Sequence, residues 1–134
     1  MATAATQLIS GTDFVSVPTQ DVERSARFYG EALGLRRSMY MPERHFAEFE
    51  TGNVTLSVIN AQGMGIASEH NPIKVPIALH VDDVQAGREE LEGRGVTFAR
   101  DNFDTGVCHM AFFEDPDGNA LMLHHRYAPR TPEA

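Results

Sequence analysis

Two long stretches of this chain can be laid over each other, and that internal duplication limits the fold more than any other feature. The segment DFVSVPTQDVERSARFYGEALGLR aligns with VPIALHVDDVQAGREELEGRGVTF so that Phe14 meets Pro76, Asp21 meets Asp83 and Gly34 meets Gly95, with one deletion. Further on, HFAEFETGNVTLSVI aligns with HMAFFEDPDGNALMLHH, matching His45 to His109, Ala47 to Ala111, Phe49 to Phe113 and Glu50 to Glu114, with a longer turn in the second copy. A period of about 55 residues marks a repeated structural unit. The copies cover about residues 12–61 and 75–127, joined by a Gly-, Asn- and Pro-containing linker of about 62–74 and followed by a tail, 128–134.

Local signals give the order of elements within each copy. Residues 13–18 and 75–81 are short apolar strands. Asp21, and in the second copy Asp82 or Asp83, offer side-chain oxygens to the free amides of a helix start. Val22, Ala26, Tyr29 and Leu33 recur at helical spacing, as do Val84 and Leu91, and Gly34 and Gly95 supply the left-handed residue that commonly ends a helix. Three β segments follow each helix, near 35–41, 45–50 and 54–60, then near 96–100, 107–114 and 119–125. The expected architecture is α+β, a βαβββ module in tandem. At 134 residues and 42% hydrophobic, the chain suits one compact domain spanning 1–134.

A net charge of -8 repels phosphate backbones and anionic surfaces, and no run of Lys or Arg makes a local exception. Nucleic acid is therefore excluded as an expected partner. No segment approaches the roughly 20 apolar residues of a membrane span, and the start MATAATQLISGTD lacks the basic flank and apolar stretch of a signal peptide. Cys108 stands alone, so no internal disulfide can form. These readings imply a cytoplasmic protein that does not engage membranes.

The duplicated pattern resembles the vicinal oxygen chelate superfamily, which includes glyoxalase I, extradiol dioxygenases, fosfomycin-resistance transferases and bleomycin-resistance proteins. The resemblance rests on VPTQDVERSARFYGEALGL, similar to the family's opening Pro-x-x-Asp, Ser and Phe-Tyr…Leu-Gly pattern, and on EDPDGN, similar to its Asp-Pro-Asp-Gly-Asn turn. It implies a cupped sheet with a cavity on its concave face, where the family's enzymes hold one divalent metal through four strand positions. Carried onto this chain, those positions fall on Phe14, Ser57, Pro76 and Met122. Phe and Pro offer no donor, a serine hydroxyl binds divalent ions poorly, and a thioether suits only soft metals. The usual metal site is dismantled, so no metal or other cofactor is expected. GMG at 63–65 is too short for a phosphate-cradling loop.

Strand alternation assigns the rest of the concave face. In the first copy it receives Ser16, Phe46, Glu48 and Thr55; in the second, Ala78, His80, Met110, Phe112 and His124. His124 and His125 are neighbours on one strand and point to opposite faces, and His80 marks the rim. Glu48, set among aromatic and Met side chains, would be partly desolvated, which raises a carboxyl pKa and suits a general base or a hook for a cationic ligand. The alternative is a solvated, inert Glu48 at the mouth. The lining suits a largely apolar organic ligand held by a few polar contacts.

Two function classes follow. The leading one is a metal-free, small-molecule-binding protein similar to the ligand-sequestering bleomycin-resistance branch. The other is an enzyme of the glyoxalase or dioxygenase kind, either metal-independent with Glu48 and a histidine as acid and base, or using an atypical metal site. A third possibility is a cup simply filled by Phe14 and Met122. The resemblance also implies a symmetric homodimer whose cavities are lined by both chains.

Overall fold

The computed structural model describes residues 6–130; the first residues of the amino-terminal stretch and residues 131–134 of the tail lie outside it. The first module contains β1 (Phe14–Pro18), α1 (Val22–Arg27), β2 (Arg36–Met41), β3 (Phe46–Glu50) and β4 (Thr55–Ile59). The second contains β5 (Ile77–His80), α2 (Val84–Gly93), β6 (Phe103–Asp104), β7 (Cys108–Glu114) and β8 (Ala120–Arg126). Each module forms a four-stranded mixed sheet, in the orders β1-β4-β3-β2 and β5-β8-β7-β6. The first strand of each runs parallel to the last, and the remaining neighbours are antiparallel. The duplication in sequence is thus a duplication of topology, the α+β βαβββ repeat expected from it.

Both helices begin as the sequence requires. Asp21 accepts the backbone N–H of Arg24 at 3.0 Å. In the second module the cap is Asp83, which accepts the N–H of Ala86 at 3.0 Å. Beyond Arg27 the first helix widens into a π turn, Phe28–Ala32, with the Leu33 N–H reaching the Phe28 carbonyl at 3.0 Å. The wider turn leaves Val22, Ala26 and Tyr29 buried and ends at Gly34, whose φ of 72° a side chain would strain.

One expected strand is displaced. The segment near 96–100 makes only an isolated bridge, Phe98 to Phe113, and the strand that pairs with β7 is Phe103–Asp104. The cause is local competition for backbone acceptors. Arg88 of α2 donates to the Arg100 carbonyl at 2.6 Å and to Asn102 Oδ1 at 2.9 Å, tying the segment to the helix.

Alternation decides which face of each sheet is covered. Ala47, Phe49, Leu56 and Val58 in the first sheet, and Ala111, Phe113, Leu121 and Leu123 in the second, are buried and belong to one hydrophobic cluster with Val22, Ala26, Val84 and Leu91 of the helices. Burying a Leu, Val or Phe side chain is worth about 1.5–3 kcal/mol, so a one-residue slip in either sheet would forfeit the whole face.

Polar contacts join the modules at the EDPDGN turn. Asp115 accepts the Tyr29 hydroxyl at 2.6 Å and the backbone N–H groups of Asp117 and Asn119 at 2.9 and 3.0 Å. Asp117 accepts the Thr19 hydroxyl, the Gln20 N–H at 2.8 Å and Arg24 Nη2 at 3.2 Å. Asn119 Nδ2 donates to the Pro18 carbonyl at 2.7 Å, and its Oδ1 accepts the Ile73 N–H at 2.9 Å. The segment read as a β-turn is a turn, and it also fastens β1, α1 and the linker.

Burial, reinforced by the Asp115 and Asp117 carboxylates, pushes the Tyr29 hydroxyl far above the ordinary tyrosine range. With its folded value raised, its contribution to stability is complete below the unfolded value of about 10 and declines as pH rises beyond it. Melting temperature measured against pH should therefore fall above about pH 10 for this chain. In Tyr29→Phe that alkaline decline should be shallower, alongside a lower neutral-pH stability from the lost hydrogen bond.

Candidate functional site

Cross-strand register arranges the site residues in rows. In the first sheet Ser16 lies opposite Ser57, Ser57 opposite Glu48, and Glu48 opposite Met39. A parallel row on the same face contains Phe14, Thr55 and Glu50, and the next brings Phe46 beside Ile59. In the second sheet Ala78 lies opposite Met122, and Met122 opposite Phe112; the adjoining row contains His80, His124 and Met110. Pro76 immediately precedes β5, two residues from Ala78 as Phe14 is two from Ser16. The two modules therefore repeat one register: Ser57 corresponds to Met122 and Glu48 to Phe112.

The walls differ in chemistry although they match in geometry. The first is polar at its centre: Glu48 is half-buried beside Ser57, and among the described residues its carboxylate has no hydrogen-bonding or ion-pair partner. Thr55 is less available, because its hydroxyl donates to Glu50 at 2.8 Å. Glu50 also takes the Ser38 hydroxyl, and these hydrogen bonds hold its pKa below the usual carboxylate range. The second wall is apolar at its centre, with the Arg100 guanidinium 5.0 Å from the centre of the Phe112 ring. At its end His124 is held below the ordinary histidine range by burial first and by His80 and His125 next.

The structure brings together Ser16, Glu48 and Ser57 on one sheet, and Ala78, Phe112 and Met122 on the other. It does not pair Glu48 with a histidine, since His80 and His124 stand on the opposite sheet. His124 shares a face with Met122, and His125 points the other way with His109. The His80 side chain is exposed, and Phe14 is 54% exposed rather than packed into a plug. A cavity of about 420 Å³ lies between the modules. It shares only Ala78 and His80 with the expected lining and is otherwise bounded mainly by side chains of the helix-covered side, such as Val15, Leu33, Leu56, Leu79 and Leu91, so it lies behind the concave walls and is not the expected concave cavity.

Metal chemistry fits this donor set poorly. Among the described residues no group of three or more His, Cys, Asp or Glu side chains is placed to hold a metal ion. Sequence reasoning missed the fastening role of Tyr29, Asp115, Asp117 and Asn119. The signal available was the density of acceptors in a turn that is otherwise flanked by buried apolar strands.

A family model described as Glyoxalase/Bleomycin resistance protein/Dioxygenase superfamily matches residues 11–123. An uncharacterised protein of Mycolicibacterium smegmatis is 28% identical over 110 residues, covering 82% of this chain and 89% of the relative. A glyoxalase/bleomycin resistance protein/dioxygenase from Nocardioides superposes with a TM-score of 0.77 at 24% identity, over 96% of this chain and 91% of the other. TnmS3, an antibiotic binding protein from Streptomyces sp. CB03234, does so with a TM-score of 0.75 at 26% identity, over 90% and 99% of the two chains.

Proposed function

The chain belongs to the glyoxalase/bleomycin resistance protein/dioxygenase superfamily, and from that premise we propose that it binds a small organic molecule without a metal, as a ligand-sequestering member similar to the bleomycin-resistance branch. The carrying observation is the replacement of donors at all four strand positions, Phe14, Ser57, Pro76 and Met122, on two walls that otherwise keep matching registers. Similarity to an antibiotic binding protein across most of the chain supports the same reading.

The geometry also supports a homodimer. Each concave wall is open in the single chain, and β1 and β5 are both sheet edges with one side unpaired. A second copy that sets its β5 beside β1 would place the Glu48 wall against the partner's apolar wall and enclose the ligand. Sedimentation at micromolar concentration should give the mass of two chains; a monomer there would leave the cavity unclosed and count against the arrangement.

Glu48 is the residue to test. Glu48→Gln should weaken ligand binding, with a melting temperature within the scatter of surface substitutions, because among the described residues its carboxylate makes no hydrogen bond or ion pair. Unchanged affinity would retire it from the site. Detectable turnover of a bound compound that disappears in Glu48→Gln would instead make Glu48 a catalytic base and the protein an enzyme.

A further inference from the structure

We propose that the ligand of the concave walls is an aromatic carboxylate, and that Arg100 is the residue that selects its charge. The inference rests on the reading of those walls as the ligand site and adds the chemical class. The Arg100 guanidinium lies over the Phe112 ring, 5.0 Å from its centre. Phe112 lies opposite Met122, so this guanidinium stands at the apolar centre of the second wall. Phe112 is the repeat partner of Glu48, and the two walls thus carry opposite charges at corresponding places.

Stacking on a ring fixes the plane of a guanidinium and leaves its N–H edge to a carboxylate, which matches that fork with two parallel hydrogen bonds. Here the edge is unanswered. Among the described residues Arg24, Arg88 and Arg94 are held in ion pairs, whereas Arg100 is in none and its side chain makes no hydrogen bond. Glu114, the carboxylate that β7 presents on this face, forms no ion pair with it either. Toward its other end the wall is positive. His124 is held below the ordinary histidine range by burial first, and then by the charges of His80, His125, Arg126 and Arg130. An anion in such a field is attracted and a cation repelled.

The body of the ligand follows from what surrounds the charge. Met110 and Met122 are half-buried on the same face as Phe112. Thioethers make favourable contacts with aromatic rings, so an aromatic body suits this surface. Arg100 is exposed, which places the carboxylate at the mouth, partly hydrated, with the ring inward. On the first wall Glu48 lacks a hydrogen-bond partner among the described residues. A hydroxyl at the far end of the ligand donates to it without bringing a positive charge to the second wall.

The full chain is to be titrated with 4-hydroxyphenylacetate and, in parallel, with the neutral 2-(4-hydroxyphenyl)ethanol and the cationic 2-(4-hydroxyphenyl)ethylammonium, following the methyl signals of Met110 and Met122 by NMR. The carboxylate should give saturable shifts, and the other two should bind about fivefold more weakly or worse. Arg100→Gln should remove that preference, and Arg100→Lys, which keeps the charge but not the planar fork, should restore part of it. Arg100 is exposed, so neither change should move the melting temperature beyond the scatter of surface substitutions. Equal binding of the neutral or cationic compound by the parent, or a preference that survives Arg100→Gln, would overturn the assignment and leave metal-free binding standing. Methyl signals that ignore all three compounds would overturn it too, and the binding reading would then stand or fall on Glu48→Gln.

Discussion

Asp117→Ala should lower stability by about 3 kcal/mol, a drop in melting temperature of about 10 °C for a chain of this size. The Asp117 side chain is fully buried, and removing it leaves the Gln20 N–H without an acceptor, the Thr19 hydroxyl with the Asp21 carbonyl alone and Arg24 without its counter-ion. Losing a charged acceptor that several donors share costs about 1–3 kcal/mol for the donor left unpaired, with the lost ion pair and the space left by the buried side chain adding to it. Asp101→Ala, at an exposed position, is the control and should stay within about 0.5 kcal/mol of the parent. Thermal melts that superimpose for Asp117→Ala and the parent would mean that the turn does not hold the modules together.

The second large effect is a gain. Combining Phe14→His, Ser57→Glu, Pro76→His and Met122→Glu should produce a chain that is less stable without metal, because charged and polar groups replace apolar ones on partly covered strands. It should be rescued by Zn²⁺, Ni²⁺ or Mn²⁺, ions suited to nitrogen and oxygen donors. At a thousandfold excess of metal over its dissociation constant the rescue amounts to about 4 kcal/mol, and the parent should show none. The four positions lie as two pairs on two sheets, so the rescue should be accompanied by dimer in sedimentation. A folded quadruple variant whose melting temperature ignores all three metals would show that the positions do not converge, and with that the reading of Met122 as a vacated ligand position would fall.

The parts of the structure that sequence made legible are those governed by short-range periodicity. Ala47 and Phe49 could be turned toward the core and Phe46 and Glu48 away from it by alternation alone, and the observed burial follows that alternation. The repeat carried the same inference to Ala111 and Phe113. Three features escaped for identifiable reasons. The π turn at Phe28–Ala32 has a wider period than the apolar spacing suggests, yet it buries the same residues, so the pattern could not reveal it. The displaced strand at Phe98 reflects a long arginine reaching from α2, which no local pattern encodes. The polar fastening depends on partners 86 to 101 residues apart, beyond any window of periodicity. For the candidate site, faces and registers were readable, but closure of the cavity is a property of how walls meet, and a single chain leaves both open.

The fastening at the EDPDGN turn also imposes an order in time. A ribosome delivers Thr19, Gln20 and Tyr29 before Asp117 and Asp115 exist, with separations of 98, 97 and 86 residues between the partners. At about 5–20 residues per second the first module waits roughly 5–20 s with these groups unanswered and the Phe113 side of its helix bare. A chain that stops before residue 115 lacks the acceptors that Asp115 and Asp117 supply to Tyr29, Thr19 and Gln20. The duplicated half that is made first is thus fastened at this seam by residues of the half that is made second.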